Sequence, residues 1–140
     1  MILPLLKVKD VSRSIEFYTQ NLGFEPDMAL DGPDGRVAFA FVKINGASLG
    51  LSLRGPDNCD GEPSATVDFM IYVSEAHDID SLYSQVQTKG LQVTQEITTA
   101  YYGDRVFTVL DPDGYSITMA KTIEIPDMEK MVEIMKSGQG

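Results

Sequence analysis

The sequence predicts an α+β chain of two tandem βαβββ modules followed by a short C-terminal helix. Three observations carry this reading. Two helical patterns each end on a glycine, Gly23 and Gly90. Each is followed by a pair of strands joined at a glycine turn, Asn45-Gly46 and Asp113-Gly114. Both sets occur in the same order, and such internal repetition is the strongest clue to architecture in a chain of this length.

The first module occupies residues 1–53. Leu3 to Val8 is a short apolar run. Asp10 supplies an N-cap, and Val11, Ile15, Tyr18 and Leu22 follow at helical spacing. Gly23 suits the C′ position, which favours positive φ. Phe24 to Leu30 and Arg36 to Ile44 read as strands flanking the turn Asp31 to Gly35. Asn45-Gly46 is a type I′ hairpin signal, with Ala47 to Leu53 returning. Residues 54–65 are rich in Gly, Pro, Asp and Ser and read as a linker.

The second module spans residues 66–121. Asp68 to Val73 is a strand, and Ser74 to His77 leads into a helix with Ile79, Leu82, Tyr83 and Val86 on its apolar face. Leu91 to Thr98, Arg105 to Leu110 and Tyr115 to Ala120 complete the order, with Asp111 to Gly114 as a turn. Superposing Gly46 on Gly114 pairs Phe39 with Phe107, Ser48 with Ser116, Leu49 with Ile117 and Leu51 with Met119. In residues 122–140, Pro126 lies near the first turn of a helix with Met128, Met131, Val132 and Met135 as its apolar stripe. That stripe reads as packing surface, against the domain or a second subunit.

Composition narrows the function. With 43% hydrophobic and 23% charged residues the chain reads as an ordinary soluble protein. No apolar run reaches the roughly 20 residues that span a membrane. The opening, with Lys7 and Lys9 close behind, does not read as a secretory signal, so the cytoplasm is the expected location. A net charge of −10 with scattered Lys and Arg argues against nucleic acid. The single cysteine, Cys59, sits in the linker without a basic neighbour, and one cysteine makes no disulfide framework or thiolate cluster. His77, also single, reads as an exposed residue at the start of the second helix.

Val8-Lys9-Asp10-Val11-Ser12-Arg13-Ser14-Ile15-Glu16-Phe17-Tyr18 with Asn21-Leu22-Gly23-Phe24 resembles the opening of the glyoxalase/bleomycin-resistance/extradiol-dioxygenase proteins, the vicinal oxygen chelate superfamily. Tyr102-Gly103-Asp104-Arg105 and Asp111-Pro112-Asp113-Gly114-Tyr115 are similar to its ending. The resemblance covers roughly residues 1–121. It implies modules that form a curved mixed sheet around a cleft, metal ligands on the first and last strands of each module in the metal-dependent relatives, and a homodimer.

Strand alternation places Leu3, Gly50, Asp68 and Thr118 at the positions matching those ligands. A divalent site needs imidazoles and carboxylates, and only Asp68 qualifies. The expectation is therefore no metal and no cofactor, which weighs against an enzyme. Aromatic and polar side chains remain for a small ligand: Phe39, Phe41, Asp68, Met70, Tyr72, Tyr101, Tyr102, Arg105 and Thr118 are the candidates. Which faces of residues 36–44 and 105–110 line the cleft is open. Three readings follow: a metal-free protein binding a small aromatic or cationic molecule, a metal-dependent lyase, isomerase or dioxygenase, and a non-catalytic interaction module.

Overall fold

The computed structural model describes residues 1–55, 67–125 and 127–138. The first module contains β1 (Leu5–Val8), α1 (Val11–Asn21), β2 (Glu25–Asp31), β3 (Val37–Ile44) and β4 (Ala47–Leu53). The second repeats the order with β5 (Asp68–Tyr72), α2 (Ile79–Thr88), β6 (Val93–Thr99), β7 (Asp104–Leu110) and β8 (Ser116–Thr122). A third helix, α3 (Met128–Lys136), follows. Most of the linker, with Cys59, and Pro126 lie outside the described residues, as does the side chain of Met131.

Local chemistry fixes the boundaries. The Asp10 side chain accepts from the Arg13 N–H at 3.1 Å and opens α1. Gly23, at φ +82°, turns the chain out of it. Asp78 caps α2 by accepting from the N–H groups of Asp80 and Ser81. Asn45 and Gly46 have φ of 50° and 80°, so the β3–β4 connection has the left-handed pair that a type I′ hairpin requires.

Each module builds its own four-stranded mixed sheet, sheet A in the order β1-β4-β3-β2 and sheet B in the order β5-β8-β7-β6. The outer pair β1–β4 is parallel, as is β5–β8, and the other pairs are antiparallel. The repeat is offset by one residue in β7. Lys43 pairs with Ser48 across four intervening residues, whereas Leu110 pairs with Ser116 across five. The structural counterpart of Phe107 is therefore Ala40, not Phe39. Phe107 pairs with Met119 as Ala40 pairs with Leu51, and Phe107 and Ala40 are both fully buried. Matching the turn glycines aligned the turns and slipped the strand by one position, which exchanges faces.

Leu6, Val8, Ala40, Val42, Leu49 and Leu51 turn toward α1, and Phe107, Val109, Ile117 and Met119 toward α2. One continuous apolar core runs through both modules. Polar contacts close the seam between them. The Tyr18 hydroxyl, on α1, donates to Asp111 Oδ2 at 2.7 Å in the β7–β8 turn. The Lys9 N–H donates to Asp113 Oδ1 at 2.9 Å. The Tyr115 hydroxyl donates to the Lys7 carbonyl at 2.8 Å and accepts from the Lys7 N–H at 3.1 Å. Burial pushes the Asp111 carboxyl above its usual range, against the opposing pull of the Tyr18 hydroxyl and of the N–H groups of Tyr115 and Asp113.

Candidate functional site

Alternation leaves each sheet with a second face turned away from its helix. In sheet B, Phe69, Ile71 and Val73 take the helix side, so Asp68, Met70 and Tyr72 share the far face. Register adds Ser116 opposite Asp68, Thr118 and Thr108 in line with Met70, and Asp104 opposite Thr122. The expected set of Asp68, Met70, Tyr72 and Thr118 is thus brought onto one surface.

Hydrogen bonds order that surface. Asp68 Oδ1 accepts from Ser116 Oγ at 2.6 Å and Oδ2 from Thr118 Oγ1 at 2.5 Å. Thr118 in turn shares a 2.7 Å contact with Thr108 Oγ1. The Tyr72 hydroxyl donates to Asp104 Oδ2 at 2.6 Å, and Thr122 Oγ1 donates to Oδ1 at 2.8 Å. Asp104 is 4% exposed, so it fixes Tyr72 from beneath. That bond, with lesser help from burial and the Asp104 charge, pushes the Tyr72 phenol up to about 12. Tyr102 is raised as well, first by burial and then by Asp104, Tyr101 and Asp68, which places its hydroxyl in the field of both carboxylates. Tyr101 packs edge-on against Tyr102 at 5.2 Å between ring centres.

Among the described residues no cation joins them. Arg105 follows the alternation of Phe107 and Val109 to the helix face, where Nη2 meets Asp80 Oδ1 at 2.9 Å and Nη1 donates to Thr99. Arg105 is thus placed on the opposite face from Asp68, Met70, Tyr72 and Thr118. Lys121, its register partner, donates Nζ to the carbonyls of Glu75 and His77. The far face of sheet B is consequently acidic and aromatic. Along its β5 edge runs a cavity of about 420 Å³, walled by Ile2, Pro4, Ser48, Asp68, Met70 and Tyr72 among others. Asn45 Nδ2 reaches across to the Tyr72 carbonyl at 3.4 Å.

Phe39 and Phe41 lie on the far face of sheet A instead, edge to face at 5.0 Å. Gly50 lies in register with Phe41 and Leu5. A Cβ at Gly50 would stand 2.8 Å from Leu5 Cδ1 and 3.4 Å from Phe41 Cε1, so those two side chains fill the space above it. Leu3 is aliphatic, and the Thr118 hydroxyl is engaged by Asp68 and Thr108. These four positions do not fit a metal ion. Among the described residues no three His, Cys, Asp or Glu side chains converge to hold one. His77 is exposed, with Nδ1 2.6 Å from Ser74 Oγ.

Sequence reasoning missed Asp104, Thr108 and Thr122. The alternation of Ile117 and Met119 could have found Thr122, but Asp104 and Thr108 required knowing which face of β7 is buried. Val106, Thr108 and Leu110 are nearly as apolar as Arg105, Phe107 and Val109, so the pattern alone does not choose.

Comparison with known proteins agrees with this architecture. Residues 3–119 match the family model of the Glyoxalase/Bleomycin resistance protein/Dioxygenase superfamily. A lactoylglutathione lyase of Neisseria meningitidis is 30% identical over 121 residues, 84% of this chain and 86% of its own. A bleomycin resistance protein of Geobacillus stearothermophilus is 28% identical over 133 residues, covering 87% and 96%. The crystal structure of TnmS3, an antibiotic binding protein from Streptomyces, superposes with a TM-score of 0.61 at 24% identity, covering 86% and 93%.

Proposed function

The chain belongs to the glyoxalase/bleomycin resistance protein/dioxygenase superfamily, and from that premise we propose that it binds a small aromatic or cationic molecule without a metal ion. The observation that carries this reading is the far face of sheet B. There two carboxylates, Asp68 and Asp104, accept only hydroxyl donors among the described residues and stand beside Tyr72 and Tyr102. Tyrosine faces and a partly solvated carboxylate recognise a planar or ammonium-bearing group through stacking, cation–π attraction and charge. Met70 adds a deformable apolar wall. Thr118 and Tyr101 belong to the same proposed contact set, and Phe39 and Phe41 offer a second aromatic surface on sheet A. The similarity to a bleomycin resistance protein supports the reading. We place the protein in the cytoplasm as a homodimer; no described helix is long and apolar enough to cross a membrane.

The test is calorimetric titration with a planar aromatic cation such as ethidium and with a planar anionic dye of similar size. The cation should bind more tightly, and Asp68→Asn should weaken it about tenfold, the loss of one charge-assisted contact. Equal affinity for the two dyes, indifferent to Asp68→Asn, would sink the proposal.

The similarity to a lactoylglutathione lyase supports a second reading, a metal-dependent enzyme. It requires donors beyond Asp68, and elemental analysis of protein purified without chelator decides it. A stoichiometric divalent ion would favour the enzyme.

A further inference from the structure

A strand at the edge of a sheet offers its outer N–H and C=O groups to whatever lies beside it. Among the described residues the two sheets have four such edges, β1, β2, β5 and β6. Register shifts interrupt β2, at Pro26/Met28 and Leu30/Asp31, and β6, at Val93/Gln95 and Gln95/Thr98. Such bulges blunt an edge. On β1 the Tyr115 hydroxyl takes both the N–H and the C=O of Lys7, and Asp113 takes the Lys9 N–H. β5 alone keeps an unbroken register, from Asp68 to Tyr72, with no such seal along its outer side.

Its outer groups follow from one bond. The Val73 N–H donates to the Ala120 carbonyl on β8 at 2.9 Å. Alternate residues of a strand turn their backbone groups to the same side. Phe69, Ile71 and Val73 therefore face β8, while Asp68, Met70 and Tyr72 face outward. The bond from Asn45 Nδ2 to the Tyr72 carbonyl, at 3.4 Å, comes from that outer side and agrees. The backbone N–H and C=O of Met70 have no partner among the described residues. Met70 lines the cavity of about 420 Å³, together with Ala47, Ser48 and Leu49 at the start of β4. Among the described residues Asp68 is the one carboxylate in that lining. Both hydroxyls that hold it come from β8, which leaves its other side to the cavity.

We propose that this cavity takes a short basic peptide as an added antiparallel strand on β5. The inference rests on the binding of a cationic molecule proposed above and names its chemical class. Residues opposed in such a pair exchange both backbone bonds and place their side chains on the same face. The peptide residue opposite Met70 thus sends its side chain to the far face, where a lysine reaches Asp68 on the diagonal. Its two neighbours turn the other way, toward Phe69 and Ile71, and are apolar. Asn45 already holds the place opposite Tyr72, so the added strand stops there at its N-terminal side. The ligand is a free peptide of about three residues, roughly 10 Å at strand rise, and not a segment of a passing chain.

Calorimetric titration of the full chain with acetyl-Leu-Lys-Leu-amide tests it. The peptide should bind, and hydrogen exchange at the Met70 amide should slow. Methylating the lysine amide nitrogen leaves the Met70 carbonyl unpaired and should weaken binding about tenfold or more. Norleucine in place of the lysine, or Asp68→Asn, should each weaken it about tenfold. A Gly-Ser extension at the N-terminal end should weaken it as well. No binding, indifference to the methyl group, or an unchanged Met70 amide, with ethidium still dependent on Asp68, overturns the strand pairing and leaves the cation site standing. Indifference of both ethidium and the peptide to Asp68→Asn overturns both readings. An extended peptide that binds more tightly overturns the short ligand in favour of a protein strand.

Discussion

Replacing Tyr18 with phenylalanine removes one oxygen from the seam between the modules and leaves the ring in place. Tyr18 is fully buried, and its hydroxyl donates to Asp111 Oδ2 at 2.7 Å. The loss strands a carboxylate oxygen in a site where water does not reach, which costs about 2 kcal/mol. At this chain length that lowers the melting temperature by roughly 6–8 °C. The penalty also depends on pH, and its sign follows from the raised Asp111 pKa. A carboxyl held above its unfolded value contributes stability that is fully present below the unfolded pKa and is lost as pH rises through the folded one. The Tyr18 hydroxyl favours the charged form, so Tyr18→Phe pushes the folded pKa of Asp111 higher still. The variant should therefore lose most stability near neutral pH, and the gap to the parent should narrow as acid protonates Asp111. Urea titrations followed by far-ultraviolet dichroism suit a chain without tryptophan. A penalty below about 0.5 kcal/mol, within the range of ordinary surface substitutions, or one identical at pH 4 and pH 7, would refute this account of the seam.

Two further outcomes follow from the site. Ultraviolet titration should find one phenol ionising near pH 12, that of Tyr72, and Asp104→Asn should bring it back toward the ordinary tyrosine range; a profile unchanged by Asp104→Asn would contradict the bond. Arg105→Ala should leave ethidium affinity unchanged and cost no more than about 0.5 kcal/mol of stability, because its ion pair with Asp80 is partly solvated. A tenfold loss of affinity in that variant would place Arg105 in the site after all.

The element order was legible because local signals suffice for it: Asp10 as cap, the positive-φ glycines Gly23 and Gly90, and the Asn45-Gly46 hairpin are each decided by a few adjacent residues. The far-face set Asp68, Met70 and Tyr72 was legible too, since Phe69, Ile71 and Val73 are distinctly more apolar than their neighbours. Features that depend on contact between distant segments were not. Nothing in Tyr72 announces a bond to Asp104, 32 residues on, and nothing in Tyr18 announces Asp111. The face of Arg105 was not legible either: it sits close to two tyrosines in the chain, while the pleat sends it to the opposite side from Asp68 and Tyr72. The slipped pairing of Phe39 with Phe107 had a related origin, a turn one residue longer in the second hairpin.

The Asp111–Tyr115 turn also constrains how such a chain can be reshuffled. A repeat whose copies merely stood side by side could exchange one half with a relative and remain intact. Here the second half supplies the acceptor for a first-half phenol and holds the backbone of Lys7 and Lys9. A transplanted half would have to bring acids and a tyrosine at the same turn positions, in a loop of the same length. The halves share a plan, yet neither is an interchangeable part.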